Sequence, residues 1–322
     1  MVGTGGRENL VSTSHLGHDL DHSAHHIAQL HASAPPPSRH TGAMASAATI
    51  RTLLATDDVT VGEFVCPPAD GRWACENDIG DGFHVVFPWT PVHIARQAMP
   101  ELVATPNHAV LYPPRLRFHR RHLTSEGDHC LFVVLGAGMC ERLGLRPGPA
   151  GDPALTPTVW LAQRLLAAYL SWPGSDAAVA ERLARDLVVT TLRPSPTAVS
   201  GAGGSAVEQT KELMACSPGR LLSLERIARE AHYSRFHLLR AFHARTGYTM
   251  HQYHLHLRLR RSLGPLLAGE PVADIALELG FQGHSHFTSR FRRAFGETPS
   301  AVRAAAADGT ALPGLVGRLL AA

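Results

Sequence analysis

The sequence PVADIALELGFQGHSHFTSRFRRAFG, residues 271–296, repeats the pattern of an earlier stretch of the same chain. That stretch reads SLERIAREAHYSRFHLLRAFHARTG, residues 223–247, and has one residue fewer in its turn. The corresponding pairs are Ile227 and Ile275, Phe242 and Phe291, and Gly247 and Gly296. Each copy predicts a helix of about eight residues, a short turn and a basic amphipathic helix. This is the pattern of a helix-turn-helix, and two tandem copies are far less expected by chance than one.

Two histidines in the second copy raise the question of a metal site. His284 and His286 are two residues apart, a spacing that would put both on one face of a strand. They stand, however, at the start of a predicted helix over 283–295, where side chains at i and i+2 point apart. We therefore predict no metal at this pair. The arginines that follow favour an anionic partner.

The composition is that of a globular protein with an uneven charge. The chain has 322 residues, 44% of them hydrophobic and 18% charged, which is long enough for two domains. Residues 207–303 carry 14 Lys and Arg against 8 Asp and Glu, a net charge of +6, and the remainder carries a net −3. A basic block of this kind favours a polyanion as its partner. The five cysteines lack a CxxC spacing and fit a reduced protein, and we expect neither a signal peptide nor a membrane span.

The N-terminal half divides into a polar segment and a β-rich segment. Residues 1–45 are rich in Gly, Ser, Ala and His, which predicts a disordered tail. The alternative is a helix whose regularly spaced histidines share a metal. Residues 46–150 contain the apolar runs HVVFP (84–88), HAVLYPP (108–114) and HCLFVVL (129–135), separated by turn residues. Short strands at this spacing predict an antiparallel sandwich or barrel.

Helical periodicity follows the β-rich segment and ends in a linker. VWLAQRLLAAYL (159–170) and AAVAERLARDLVVTTL (177–192) carry apolar residues at steps of three and four, which predicts an antiparallel helical pair. A Pro-rich and then Gly/Ser-rich stretch marks a domain boundary. The expected order is a helical segment, a linker, an all-α domain and a C-terminal tail, at 151–193, 194–206, 207–303 and 304–322. The predicted fold class is α+β.

Residues 207–303 resemble the DNA-binding domain of the AraC/XylS family of transcriptional regulators. The motifs that carry the resemblance are Ser223-Leu-Glu-Arg-Ile-Ala, Tyr233-Ser-x-Phe-His-Leu-x-Arg-x-Phe, Ile275-Ala-x-x-x-Gly-Phe and His286-Phe-x-x-x-Phe-x-x-x-Phe-Gly-x-Thr-Pro-Ser. The resemblance implies two helix-turn-helix subdomains joined by one long helix, here over 249–267. Subdomains joined in this way would enter successive major grooves, about 34–36 Å apart on one face of the DNA.

The resemblance also implies which side chains read bases. In the first recognition helix, over 234–245, they are Arg235, Phe236, Leu239 and Arg240. Arg240 could pair with guanine, whereas Phe236 and Leu239 could contact thymine methyl groups or instead pack in the core. In the second recognition helix the corresponding residues are His284, Ser285, Thr288 and Ser289. These short groups suit phosphate or water-mediated contacts, so we expect the first subdomain to read sequence more strongly.

Five arginines are candidates for phosphate contacts. Their alternative role is that of a solvated helix face. They are Arg258, Arg260, Arg261, Arg292 and Arg293.

The β-rich segment resembles, less specifically, the cupin-like effector barrel of one AraC subgroup. The resemblance implies that it senses an unknown small molecule or mediates self-association. It also implies a homodimer through helices over 156–192, with seam candidates Leu161, Leu165, Leu183 and Leu187, unless these pack on their own barrel. Metal-dependent cupins carry a His-x-His motif, which is absent from residues 49–135, so we predict no metal cofactor. An unpatterned site of Cys66, Cys75, His84 and Cys130 is the alternative.

The predicted function is that of a transcription factor and not of an enzyme. The expected partners are double-stranded promoter DNA, a small-molecule effector and a second copy of the chain, with RNA polymerase as a further candidate. The expected location is the cytoplasm, on the nucleoid. Three alternatives remain: a metal-dependent cupin enzyme with a DNA-binding tail, a DNA-repair methyl acceptor, and an architectural DNA binder without an effector.

Overall fold

The computed structural model of the protein describes residues 47–145, 152–193, 204–217, 223–230 and 234–322. Three features named above lie outside these ranges. They are the His-rich segment 1–45, most of the linker at 194–203, and Tyr233 in the turn of the first repeat.

Two antiparallel sheets occupy the N-terminal half of the described chain. One sheet contains β1 (Thr49–Ala55), β2 (Val59–Cys66), β4 (Phe83–Pro88), β7 (Val110–Tyr112) and β9 (Asp128–Leu135), in the order β1-β2-β9-β4-β7. The other contains β3 (Asn77–Asp78), β5 (Val92–Arg96), β6 (Leu102–Ala104) and β8 (Arg117–His122), in the order β3-β8-β5-β6. The three apolar runs chosen from the sequence supply β4, β7 and β9.

The first sheet is buried on both faces, and its strands alternate accordingly. In β9, Leu131 and Val133 face the large apolar core that contains the helices, whereas Cys130 and Phe132 belong to a separate cluster on the opposite face. The paired β2 follows the same rule, with Val61 toward the helices and Phe64 toward the other face. Successive side chains of a strand point to opposite faces, so a run such as HCLFVVL covers two cores at once.

Helices make up the rest of the described chain. They are α1 (Ala137–Arg142), α2 (Pro157–Leu170), α3 (Ala177–Thr191), α4 (Gly204–Cys216), α5 (Leu224–Glu230), α6 (Arg235–Thr246), α7 (Met250–Arg261), α8 (Leu263–Leu267), α9 (Val272–Glu278), α10 (His284–Phe295), α11 (Pro299–Asp308) and α12 (Leu312–Ala321). This confirms the expected mixture of an N-terminal antiparallel sheet region and a C-terminal helical domain.

Local signals fix several helix ends. Side-chain oxygens of Thr156, Asp176 and Ser234 accept hydrogen bonds from the first turns of α2, α3 and α6. The two repeated glycines, Gly247 and Gly296, end α6 and α10 with φ of 72° and 77°. A residue with a Cβ is disfavoured in this left-handed conformation, which explains why glycine recurs at equivalent places in both copies.

The two helix-turn-helix subdomains belong to different cores. The first packs α5 and α6 against α4 and α7 around Ile227, Leu238, Phe242 and Tyr253. The second packs α9 and α10 into the same core as α2, α3, α11 and α12. The second subdomain is thus held against the helices that follow the sheets, while the first has a core of its own.

Two expectations about the course of the helices need correction. Residues 304–322, expected to be a tail, continue α11 and form α12, whose Leu315, Val316 and Leu319 are buried. The connecting helix is interrupted at Ser262 instead of running unbroken over 249–267. Pro265 explains the break, because it cannot donate to the Arg261 carbonyl one turn earlier and its ring crowds that carbonyl.

The expected dimer seam is also corrected. Leu161, Leu165, Leu183 and Leu187 are fully buried within their own chain. They pack with the helix-facing residues of the first sheet and with α12. Side chains without exposed surface cannot form a seam with a second copy unless the chain rearranges.

Candidate nucleic-acid interface

Helix α6 presents an apolar and basic surface at its N-terminal half. Leu238 and Phe242 point into the subdomain core and are fully buried. The side chain of Phe236 is 75% exposed and that of Leu239 is 37% exposed, so neither packs in the core. Arg235, Phe236, Leu239 and Arg240 all lie on this exposed side, as the sequence predicted.

One residue of this surface is already held by an ion pair. Arg235 Nη1 lies 2.8 Å from Glu225 Oε1 on α5, the first helix of the motif. The pKa of Glu225 is lowered mainly by a hydrogen bond from its own backbone, then by the hydrogen bond from Ser223 and then by the one from Arg235. Arg235 would have to leave or share this carboxylate to contact DNA, whereas Arg240 forms no ion pair with any described residue. Arg240 is therefore the better candidate for a base contact.

Helix α10 gathers the second predicted set of residues on one side. Phe287, Phe291 and Phe295 are buried along the core side of the helix, where each ring contacts the next at a steep angle. The opposite side lines an open hollow formed by His284, Ser285, Thr288, Ser289, Arg292, Arg293 and Thr298. All six α10 residues that were predicted to meet DNA line this hollow. The hydroxyl oxygen of Thr288 has no exposed surface, so a contact by Thr288 would use its methyl group or require rotation about χ1.

Thr298 is the one residue of the hollow that the sequence analysis missed. Its side chain caps α11 by accepting a hydrogen bond from Ala301 N at 3.2 Å. The first amides of a helix attract anions, and here they adjoin Arg292 and Arg293. The Thr-Pro-Ser sequence after α10 was the available signal, since Thr followed by Pro is typical of a helix start.

His286 packs within the second motif. Its ring meets Phe281 edge-on at 5.7 Å, and Arg290 Nε donates to its Nε2 at 3.3 Å. His284 lies in the open hollow instead. Across the described ranges, no three or more His, Cys, Asp or Glu residues come together as a metal site would require.

The prediction that Arg260 contacts phosphate is wrong. Its side chain is 1% exposed, and it donates to the carbonyl oxygens of Pro106 and Leu155 and to Asn107 Oδ1. Burial lowers the pKa of Arg260 to about 10. Helical periodicity could not reveal this, because the acceptors come from two segments that lie between 105 and 154 residues earlier in the chain.

Arg258 and Arg261 are also engaged within the protein. Arg258 donates to the carbonyl oxygens of Leu279 and Gly280 and lies over the Phe281 ring, so it fastens the turn of the second motif. Its geometry does not support a phosphate contact. Arg261 is exposed and pairs with Glu126. Arg292 and Arg293 line the α10 hollow, and their contact with phosphate stays a prediction.

A buried polar contact joins α7 to the sheet region. Tyr253 OH and Thr105 Oγ1 are 2.6 Å apart, and Asn107 Nδ2 donates to the Tyr253 carbonyl at 3.2 Å. Arg260 completes this contact, which we call the 105–107 clamp. Nearby, Glu208 accepts from Val103 N at 2.6 Å and pairs with the buried Lys211 at 2.7 Å. Burial lowers the pKa of Lys211, and Glu208 opposes that shift.

No helix in the described part of the chain is both long and apolar enough to cross a membrane.

Comparison with known proteins places the similarity in the same C-terminal residues. A family model described as a helix-turn-helix domain matches residues 227–305. The Right origin-binding protein of Escherichia coli K12 is 39% identical over 83 residues, which is 26% of this chain and 29% of that protein. The chain thus spans less than a third of the length of this relative. Regulatory protein SoxS of Salmonella typhimurium is 35% identical over 83 residues, again 26% of this chain but 78% of SoxS.

A solved structure gives a match of similar extent. It is a transcriptional regulator with an AraC-type DNA-binding domain from Chromobacterium violaceum, 32% identical, covering 33% of this chain and 97% of that chain with a TM-score of 0.31. SoxS is a regulatory protein by name, and the match extends over most of it. With its two helix-turn-helix motifs, the chain therefore belongs to the AraC/XylS family of transcriptional regulators.

Proposed function

We propose that this protein recognises promoter sequences by placing α6 and α10 in successive major grooves. One observation carries the proposal. Both helices bury an apolar face in a core and leave the side chains predicted to meet DNA uncovered on the other face. A solvent-exposed Phe236 beside Arg240 has no stabilising role within the chain, but its ring suits a thymine methyl group.

The two helices have unequal tasks in this proposal. Helix α6 offers Arg240, Phe236 and Leu239, which can distinguish bases through the guanine acceptors and the thymine methyl group. Helix α10 offers short polar groups and the arginine pair Arg292 and Arg293, which suit the DNA backbone. The first subdomain therefore supplies most of the sequence preference, and the second supplies affinity and register.

The sheet region is the proposed sensor. As a cupin-like effector module, it would respond to a small molecule or mediate association of two copies, in the cytoplasm and on the nucleoid. RNA polymerase is the candidate partner once the protein is seated on a promoter. Self-association would use surfaces other than the four buried leucines of α2 and α3.

The 105–107 clamp supports a route by which the sensor could influence DNA binding. The clamp follows directly after Ala104 of β6, whose side chain faces the space between the two sheets. Thr105 and Asn107 bind Tyr253 and Arg260 of α7, the helix that connects the two DNA-binding motifs. A displacement of β6 would thus be passed to the connecting helix within three residues.

Binding of the full-length protein to DNA upstream of its own and neighbouring genes tests the proposed function. Random-sequence duplex is the competitor, and the measurements are made at two salt concentrations. We expect specific binding that survives the higher salt, and a loss of roughly 1–3 kcal/mol on that DNA for Arg240→Ala. The loss should be much smaller on random DNA.

Arg182→Ala is the matched control for this test. Arg182 is an exposed arginine on α3, away from both motifs, and its replacement by alanine changes the net charge by the same amount as Arg240→Ala. It should leave the affinity for upstream DNA unchanged. Binding that is equal on all DNA and disappears with salt would show phosphate contact alone and contradict the proposal.

A further inference from the structure

The space between the two sheets forms a cavity with apolar walls. It is lined by side chains from both sheets, among them Phe64, Val86, Ile94, Tyr112, Phe118 and Phe132. Its empty volume, counted with the opening to solvent, is about 850 Å³. Concave and mostly apolar spaces with a few polar groups are the usual sites of small organic ligands.

One charged residue of the cavity wall lacks hydrogen-bond acceptors. The Arg120 side chain on β8 is 6% exposed, and its Nη1 donates to Asp128 Oδ2 on β9 at 2.6 Å. Its Nε and Nη2 are buried and have no hydrogen-bond partner among the described residues. The rings of Phe64 and Trp73 pack on the guanidinium, with centroids 4.6 Å and 5.0 Å from Cζ.

Leaving these two nitrogens without acceptors is costly. A buried donor without a partner loses its hydration without compensation, and the loss is greater for a charged group. Nε and Nη2 form one edge of the guanidinium, where parallel N–H groups match the two oxygens of a planar carboxylate. Asp128 does not occupy this edge, because it binds Nη1. The edge therefore has the hydrogen-bonding capacity that a carboxylate requires, and because neither nitrogen has exposed surface, a ligand reaches it only when the side chains that cover it move.

We propose that the cavity binds a small monocarboxylate with an apolar body, whose two oxygens accept hydrogen bonds from Nε and Nη2 of Arg120. This rests on the proposed function, since it names the chemical class of the effector that the sheet region would sense. The apolar body would lie among the aromatic and aliphatic side chains that line both sheets. A phosphate dianion fits less well, because one arginine already shared with Asp128 cannot balance two buried charges.

Asp128 gives the site a second, testable property. With a ligand carboxylate bound, one guanidinium would serve two carboxylates in a buried site, which is an unfavourable arrangement. Burial raises the pKa of Asp128, which makes proton uptake easier when the second carboxylate arrives. Removing the charge of Asp128 should therefore strengthen ligand binding, although the same change removes a native ion pair.

Calorimetric titration of the full-length protein tests this inference. The probes are octanoate and 3-phenylpropionate at up to millimolar concentration, each compared with its primary amide. We expect at least one of the two acids to bind. Its amide should bind at least about tenfold more weakly, because the amide lacks the charge that Arg120 recognises. Asp128→Asn should bind that acid as tightly as the native protein or more tightly.

Variants of Arg120 separate recognition from folding. Arg120→Gln should weaken acid binding about tenfold or more and leave the weak amide binding unchanged. The double variant Arg120→Gln with Asp128→Asn removes both charges, leaves no unpaired buried charge, and should show the same loss. Arg117→Gln is the control, because Arg117 lies on the same strand but its side chain is 59% exposed.

The outcomes distinguish this inference from the proposed function. If neither acid binds, if acid and amide bind equally, or if the folded double variant keeps the affinity, the carboxylate site is wrong. Specific DNA binding measured on the same preparation would still establish the regulator. Acid binding without specific DNA binding would support the site and contradict the proposed function.

Discussion

A single buried arginine joins the DNA-binding helices to the sheet region. Arg260 satisfies two main-chain carbonyls and the amide oxygen of Asn107, all within the 105–107 clamp and the loop before α2. Its guanidinium also lies 5.6 Å from the centre of the Trp160 ring. No carboxylate neutralises it in these bonds, so its contribution comes from satisfying acceptors that would otherwise be buried and unpaired.

Replacing Arg260 with Met should destabilise the protein. The change removes the charge, keeps most of the apolar stem and leaves the Pro106 carbonyl and Asn107 Oδ1 without this donor, while the Leu155 carbonyl keeps its bond from Tyr248. This predicts a loss of roughly 2–4 kcal/mol. Thermal and urea unfolding of the full-length chain measure it. Arg261→Met, at the adjacent exposed position, removes only a surface ion pair and should cost under about 1 kcal/mol. Equal effects of the two variants would contradict the structural role of the clamp.

The contrast between Arg260 and Arg240 shows what helical periodicity can predict. The period identifies Leu238 and Phe242 as core residues, and it therefore places Arg240 on the outer face of α6. The outer face of α7 is covered by a distant part of the chain, and the period carries no information about that cover. The residues of α6 and α10 were therefore predictable, whereas the fate of Arg258 and Arg260 was not.

At the scale of elements, the C-terminal helix closes the core that α2 and α3 share with the second motif. In α12, the residues Leu315, Val316 and Leu319 are at most 5% exposed. The apolar residues of this segment have helical spacing, which argues against the tail expected after the second motif. Its partner, α2, is apolar over most of its surface, which is the sign that a further element must cover it.

Shortening one side chain of α12 should reveal its contribution to stability. Leu319→Ala is expected to lower the free energy of unfolding by about 2–4 kcal/mol, because it leaves a cavity against the helical pair. Arg318→Ala is the control on the same helix, since its side chain is 68% exposed and its ion pair with Glu297 spans 3.6 Å. It should have little effect. A similar small effect of Leu319→Ala in urea unfolding would show that α12 is the tail expected from the sequence.

For the molecule as a whole, the contact between the sheet region and α7 contains histidines that burial keeps neutral. Burial lowers the pKa of His108 well below its usual range, and the ring lies 5.8 Å from that of Tyr253. Burial likewise lowers the pKa of His256 to about 4, and its ring meets Tyr248 edge-on at 4.8 Å. Tyr248 in turn donates to the Leu155 carbonyl at 3.0 Å, so these rings occupy the junction itself.

The stability of the protein should therefore fall as the pH drops from 6.5 toward 4. In this range His256 takes up a proton in the unfolded chain but not in the folded chain, so proton binding stabilises the unfolded state. With an ordinary pKa near 6.5 and a folded pKa of about 4, the expected loss is roughly 1–3 kcal/mol for this residue. His256→Gln should unfold with a shallower dependence on pH over the same range, measured as the urea midpoint at each pH. His251→Gln, at an exposed position on the same helix, should keep the native dependence. If His256→Gln and the native protein lose stability in parallel, protonation of His256 does not cause the loss of stability in acid.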